Sequence, residues 1–216
     1  MTPARYQFTD LGSITRLTQW LMVFSTVFIL VSLPLFLFDL DWLADVLHLP
    51  LWARSATAFL ESQTGEMTFG VTWVLIFGAC AFAALRWIYL ANANAHALGA
   101  EGMQFTPGWA VGWYFVPIAS LWKPYQAMKE IWQASAAGTD WRGVRVPRLL
   151  PWWWACWLIS TLTSYGPFDP DDEAQRIAAL VFLGILYSLL LALMGTFTTI
   201  IGRIWAMQRR RRAAST

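Results

Sequence analysis

Five stretches of the chain, residues 17–38, 67–85, 102–122, 149–168 and 177–202, contain no charged side chain, and this pattern constrains the fold more than any other feature. A membrane-crossing helix needs roughly 20 consecutive apolar residues, because about 30 Å of hydrocarbon is crossed at 1.5 Å per residue. Composition points the same way: 57% of the 216 residues are hydrophobic and 13% are charged. A soluble domain carries about 25% charged residues, so polar surface is too scarce to cover a globule in water. The expectation is an all-α membrane protein forming a single domain over residues 1–216.

The third stretch holds Pro107, Gly108, Gly112 and Pro117, with Pro124 just beyond. Proline removes a backbone donor and clashes with the preceding turn, leaving carbonyls that lipid cannot satisfy. A re-entrant or interfacial segment over about 103–122 is therefore expected in place of a straight span. Basic residues test this, since cytoplasmic loops retain positive charge. Arg54 stands alone among Asp39, Asp41, Asp45, Glu61 and Glu66, and Arg176 alone beside Asp169, Asp171, Asp172 and Glu173, so both loops read as external. Four transmembrane helices at about 17–38, 67–90, 149–168 and 177–202 keep every other basic residue and both termini on the cytoplasmic side. Five spans would send the arginine tail outside.

Nine of the 15 tryptophans lie between Trp87 and Trp154, at the expected cytoplasmic boundary, where indole rings concentrate. The first window is followed by Asp39, Leu40 and Asp41 with no small-residue cleavage site, so it is expected to remain as an anchor. Small residues recur at turn spacing at Gly184, Ser188, Ala192 and Thr196, and at Ala79 and Ala83. Packing inside the bundle is the first expectation for both, and a homodimer face the alternative. A net charge of +2 with clustered arginines carries no nucleic-acid signature. Cys80 and Cys156 sit in apolar windows without metal-ligand spacing and read as small buried hydrophobes.

Charged clusters outside the spans have structural explanations. Asp41, Asp45 and His48 could share a helical face, but Leu40, Leu43 and Leu47 on the other make a surface-lying amphipathic helix the expectation, not a metal site. Asp169 before Pro170 reads as a helix N-cap, with the neighbouring acids favouring the helix dipole. Arg209, Arg210, Arg211 and Arg212 are candidate contacts for anionic lipid headgroups and hold the C-terminus inside. No cofactor is implied.

The region of greatest interest runs from Arg86 to Trp132. Trp87 is followed seven residues later by Asn94, then by an aromatic, proline-rich stretch and by LWKPYQAMKEIW over 121–132. This order resembles the bacterial membrane proteins catalogued as domain of unknown function 4328. The positions that carry it are Trp87, Asn94, Pro107, Pro117, Leu121, Trp122, Pro124, Tyr125, Glu130 and Trp132, and Ser120 departs from it, where similar sequences usually have Asn. The resemblance implies a multi-pass protein of the bacterial inner membrane and assigns no activity.

From the residues themselves, a cytoplasmic amphipathic helix is expected over about 124–135, with Leu121, Tyr125, Met128 and Trp132 on one side and Lys123, Gln126 and Glu130 on the other. Asn94 is expected on the face of Trp87, its amide bonding carbonyls freed around Pro117. The candidate cap or binding residues are thus Trp87, Asn94, Pro117, Ser120, Trp122, Lys123, Pro124, Tyr125, Glu130 and Trp132. A non-enzymatic scaffold whose cap binds membrane lipid, a protein partner or a second copy asks least of these residues. A small transporter or channel component is the alternative, although no charge-free window of the spans holds an acidic or basic residue to mark an ion path. Catalysis would have to draw on His96, Lys123, Tyr125 and Glu130, which match no catalytic motif.

Overall fold

The computed structural model describes residues 6–37, 48, 50, 62–162 and 172–215, and among these the chain is helical without a strand. Six α-helices follow in order: α1 (Gly12–Leu37), α2 (Gln63–Ala97), α3 (Pro107–Gly112), α4 (Lys123–Ala137), α5 (Leu149–Leu162) and α6 (Glu173–Ala214). Single 3-10 turns lie at Trp113–Phe115, Ala119–Leu121 and Gly138–Asp140. Residues 102–122 form one short helix and two tight turns, not a continuous helix.

Helices α1, α2 and α6 are long and apolar enough to cross a membrane, whereas α5 has 14 described residues. At 1.5 Å per residue the 42 residues of α6 extend about 63 Å, roughly twice the hydrocarbon thickness. Its outward face exposes Ile177, Leu180, Val181 and Ile185, and that of α2 exposes Val71, Val74, Leu75 and Phe82. A contiguous apolar surface of this kind is not stable against water.

Helix α1 packs between α2 and α6, and α5 packs on α6. Helices α2 and α5 do not pack along a shared face. At one end α3 lies against α2, while α4 contacts α2, α5 and α6 and so closes that end as a cap. The main core is concentrated there, with Trp87, Ile88 and Ala91 of α2 meeting Met128 and Ile131 of α4, Leu150 of α5, and Phe197, Ile200 and Ile204 of α6. Trp87 has no exposed surface, and its indole Nε1 donates to Thr15 Oγ1 of α1 at 2.8 Å.

Local signals explain the helix ends. Thr106 caps α3, with Pro107 in its first turn, the position where a missing N–H costs nothing. Helix α2 stops in a Schellman motif: Gly99 is left-handed at φ 84°, its N–H reaches His96 O, and the N–H of Ala100 reaches Ala95 O. Helix α6 starts at Glu173 with Asp172 as its cap, accepting from the N–H groups of Ala174 and Gln175. Asp169 and Pro170, like the Asp41 and Asp45 helix, lie outside the described residues.

Two expectations need correction. The Gly184, Ser188 and Ala192 stripe is exposed, and nothing stands within 4 Å of where a Gly184 side chain would project. Helix α6 instead packs through the Phe197, Ile200 and Ile204 side, because large side chains bury more area than small ones. Helix α4 is no surface-lying helix either: Pro124, Ala127, Met128 and the run from Glu130 to Ser135 are buried, leaving Gln126, Lys129, Ala136 and Ala137 exposed. Glu130, expected on its polar side, meets protein.

Removing the Trp87 ring should cost much of the cap core. Trp87→Ala is expected to lower unfolding free energy by about 3–5 kcal/mol, and Trp87→Phe by about 1–3 kcal/mol, as the donor to Thr15 is lost. Denaturant unfolding of the detergent-solubilised full chain measures both. Equal stability of Trp87→Ala and wild type would contradict this packing.

Candidate functional site

The cap is organised around a buried pair of amides. Asn94 Oδ1 accepts from the backbone N–H of Thr9 at 2.8 Å, and its Nδ2 donates to Thr9 O at 2.7 Å and to Gln208 Oε1 at 3.1 Å. Gln208 Nε2 in turn donates to Ala91 O at 2.9 Å and to Ser135 Oγ at 2.8 Å. Every amide hydrogen of the two side chains therefore has an acceptor, which is the condition for a buried polar network to stabilise. Asn94 stands in for a peptide unit, pairing with Thr9 as a neighbouring strand would. The expected bonds to carbonyls near Pro117 do not form, since Thr9 already occupies the amide.

Glu130 anchors the approach to the broken segment. Its two carboxylate oxygens accept from Gln104 N at 2.6 Å and Phe105 N at 3.0 Å, and the residue is 5% exposed. It was expected on the polar, outward side of α4 with Lys123 and Gln126. The backbone of 104–105 descends onto that side and buries it. Burial pushes the Glu130 carboxyl up from the ordinary glutamate range, opposed by the two backbone N–H bonds and by the nearby charges of His96 and Arg142. His96 Nε2 also contacts Phe105 O at 3.2 Å, and Lys123 Nζ lies 5.7 Å from the Phe105 ring centre and 5.6 Å from that of Trp113, within cation–π range.

The segment itself turns sharply at Pro117 and Ile118. Ile118 adopts φ 64° and ψ −54°, and Ala119 N donates to Pro117 O at 2.6 Å, a γ-turn of the rarer, strained hand. For a β-branched residue this backbone is costly. It places Ile118 outward with Phe115, both more than 70% exposed. Ser120 N returns to Val116 O, Trp122 stands at the N-cap of α4, and Trp154 Nε1 of α5 donates to Leu121 O at 2.9 Å. Pro117 and Trp122 are exposed, Ser120, Lys123 and Tyr125 half-buried, and Pro124 and Trp132 buried.

The four tail arginines do different work. Arg211 turns inward, donating from Nη1 to Ala134 O at 2.9 Å and from Nη2 to Leu98 O at 2.7 Å, so it satisfies carbonyls at the ends of both α4 and α2. Gly138, at φ 72°, lies against that guanidinium, and a Cβ there would collide with it. Arg209 lies over the Trp205 ring and Arg212 over Phe8, and both are exposed with Arg210. Arg211 is thus no headgroup contact in this arrangement.

Over residues 53–206 the sequence matches the family described as Domain of unknown function (DUF4328). The chain belongs to the DUF4328 family. No curated protein and no solved structure matches it. The matched span of this family member includes Asn94, Glu130, Ser135 and the broken segment, while Thr9, Gln208 and Arg211 fall outside it.

Several of the residues that build the site carried a weaker signal. Gln208 stands four residues after Ile204, at a buried position of α6, so its register announces a polar residue facing the core. Thr9 could not be read, because it contributes only its backbone. Trp141, donating to Glu101 O, and Arg142, donating to Gly102 O, fasten the loop before α3 from the far side of α4. Among the described residues no group of three His, Cys, Asp or Glu gathers.

Glu130→Gln leaves one of the two backbone N–H groups without an acceptor and is expected to cost about 1–3 kcal/mol. Because the folded carboxyl titrates above its unfolded value, its contribution is full at low pH and is lost as pH rises through the raised value. The deficit of Glu130→Gln should therefore shrink with rising pH. Arg211→Gln should destabilise, while Arg210→Gln stays within about 0.5 kcal/mol of wild type. Denaturant unfolding at pH 4 to 8 reads all three, and equal effects of the two arginine substitutions would count against an inward Arg211.

Proposed function

We propose that this protein is a four-span scaffold of the bacterial inner membrane that acts without catalysis and binds anionic lipid headgroups at a cytoplasmic cap. Helix α5, continued through the residues after Leu162, is the fourth span. Both termini are cytoplasmic, and the segment around Ile118 dips into the near leaflet. One observation carries the reading: the amides of Asn94 and Gln208 and the Glu130 carboxylate are bonded inside the cap, whereas its exposed surface presents cations and large apolar side chains. Arg148, Arg203, Arg209, Arg210 and Arg212 are exposed, as are Trp109, Phe115, Ile118, Trp122 and Trp152. A boundary between headgroups and acyl chains takes that combination, with cations drawn to anionic lipid and aromatic rings at headgroup level. A membrane protein or a second copy is a further partner for the exposed small-residue face of α6. The second reading, a small transporter or channel component, draws support from the broken segment, whose Tyr114 and Phe115 border an internal cavity.

Two measurements test the proposal. With Cys80 and Cys156 replaced by Ala, Thr139→Cys should resist an impermeant thiol reagent in intact cells and Thr64→Cys should react. Labelling of Thr139→Cys from outside would overturn the topology. In native mass spectrometry, the triple substitution of Arg209, Arg210 and Arg212 by Gln should lose most co-purified anionic phospholipid with stability intact, since each such charge contributes about 1 kcal/mol at a membrane surface. Unchanged retention would remove the headgroup reading.

A further inference from the structure

Between α1, α2, α5 and α6 lies a cavity of about 400 Å³, a volume in the range of small-molecule sites. Ile29, Ala84, Ile88, Trp157 and Phe197 are among its walls, and among the described residues no charged side chain lines it. Tyr114 of the broken segment borders it, and the phenolic oxygen is buried with no hydrogen-bond partner. One helical turn beyond Ile88, on the side of α2 that lines the cavity, Asn92 has no exposed surface, and neither its oxygen nor its nitrogen is bonded. Buried polar groups in folded chains are almost always bonded. An orphaned hydroxyl at the wall of an apolar chamber points to a polar atom that belongs there.

We infer that the cavity is a binding site for an uncharged single-chain amphiphile, whose apolar chain fills the space between the helices and whose one hydroxyl or carbonyl bonds the Tyr114 hydroxyl. The missing charge on the walls excludes an ionised headgroup, which would be buried without a counter-ion. The source is the bilayer. Helices α2 and α5 both contribute walls, and among the described residues they share no extended contact; α2 also carries an exposed apolar face from which a lipid-derived chain could reach the chamber. The inference uses none of the cap cations and stands or falls apart from the headgroup reading.

The test uses the full chain in nanodiscs of zwitterionic lipid, with a diazirine-bearing hexadecanol as photoprobe and the corresponding carboxylic acid, ionised at pH 8, as its charged counterpart. The alcohol should label α2 or α5 peptides saturably, and the acid at least about tenfold more weakly. Tyr114→Phe should lower alcohol affinity about five- to tenfold, the worth of one hydrogen bond. Without probe it should not lower the unfolding midpoint, because that hydroxyl has no partner to lose. Ala84→Trp, and independently Ala81→Trp, should abolish saturable labelling by filling the chamber. Absent saturation, labelling that survives a folded tryptophan variant, equal binding of acid and alcohol, or unchanged affinity in Tyr114→Phe would each overturn the site. A lowered midpoint of Tyr114→Phe without probe would do so too, by giving the hydroxyl a structural role.

Discussion

The bonds between Asn94, Thr9, Gln208 and Ser135 hold together segments that apolar packing alone would leave free to slide. In an apolar solvent, burial of leucine or valine gives helices little reason to choose one register over another, and directional bonds and close packing take over that task. Here four parts of the chain, the N-terminal arm and helices α2, α4 and α6, meet at two amides whose hydrogens are all used. Shifting any helix by one residue would orphan several polar groups at once. Arg211 extends the same logic outward, tying the last carbonyls of α2 and α4 to α6.

The broken segment depends on this frame. Its γ-turn at Ile118 is intrinsically unfavourable and persists because both flanks are held, by Glu130 on the backbone of Gln104 and Phe105 and by Trp154 on Leu121 O. A side chain that supplies two acceptors to adjacent N–H groups does for this loop what a capping residue does for a helix. Strain held in place in this way keeps Phe115 and Ile118 projecting outward and Tyr114 facing the interior.

Charge-free windows revealed α1, α2 and α6, and the prolines revealed the interruption and the start of α4 at Lys123. Those features are local, set by backbone chemistry within a few residues. What stayed hidden is set by partners distant in the chain. Asn94 finds Thr9 and Gln208, 85 and 114 residues away, whereas nearby carbonyls around Pro117 were the natural guess. Glu130 looked solvated because an amphipathic stripe cannot say whether its polar side meets water or another stretch of backbone. A run of four arginines likewise gives no sign that one of them, by its register on α6, points inward while its neighbours do not.

The pairing of Thr9 with Asn94 and Gln208 bears on how the chain is made. Thr9 and Asn94 are synthesised well before Gln208, which lies 114 residues beyond Asn94, yet all three close one network. Until α6 is complete, the amide of Asn94 lacks one of its acceptors and the ends of α2 and α4 lack the Arg211 guanidinium. Cap closure therefore waits until α6 has been made, and a chain halted before residue 208 would leave Asn94 short of an acceptor, so a closed cap reports that α6 is in place.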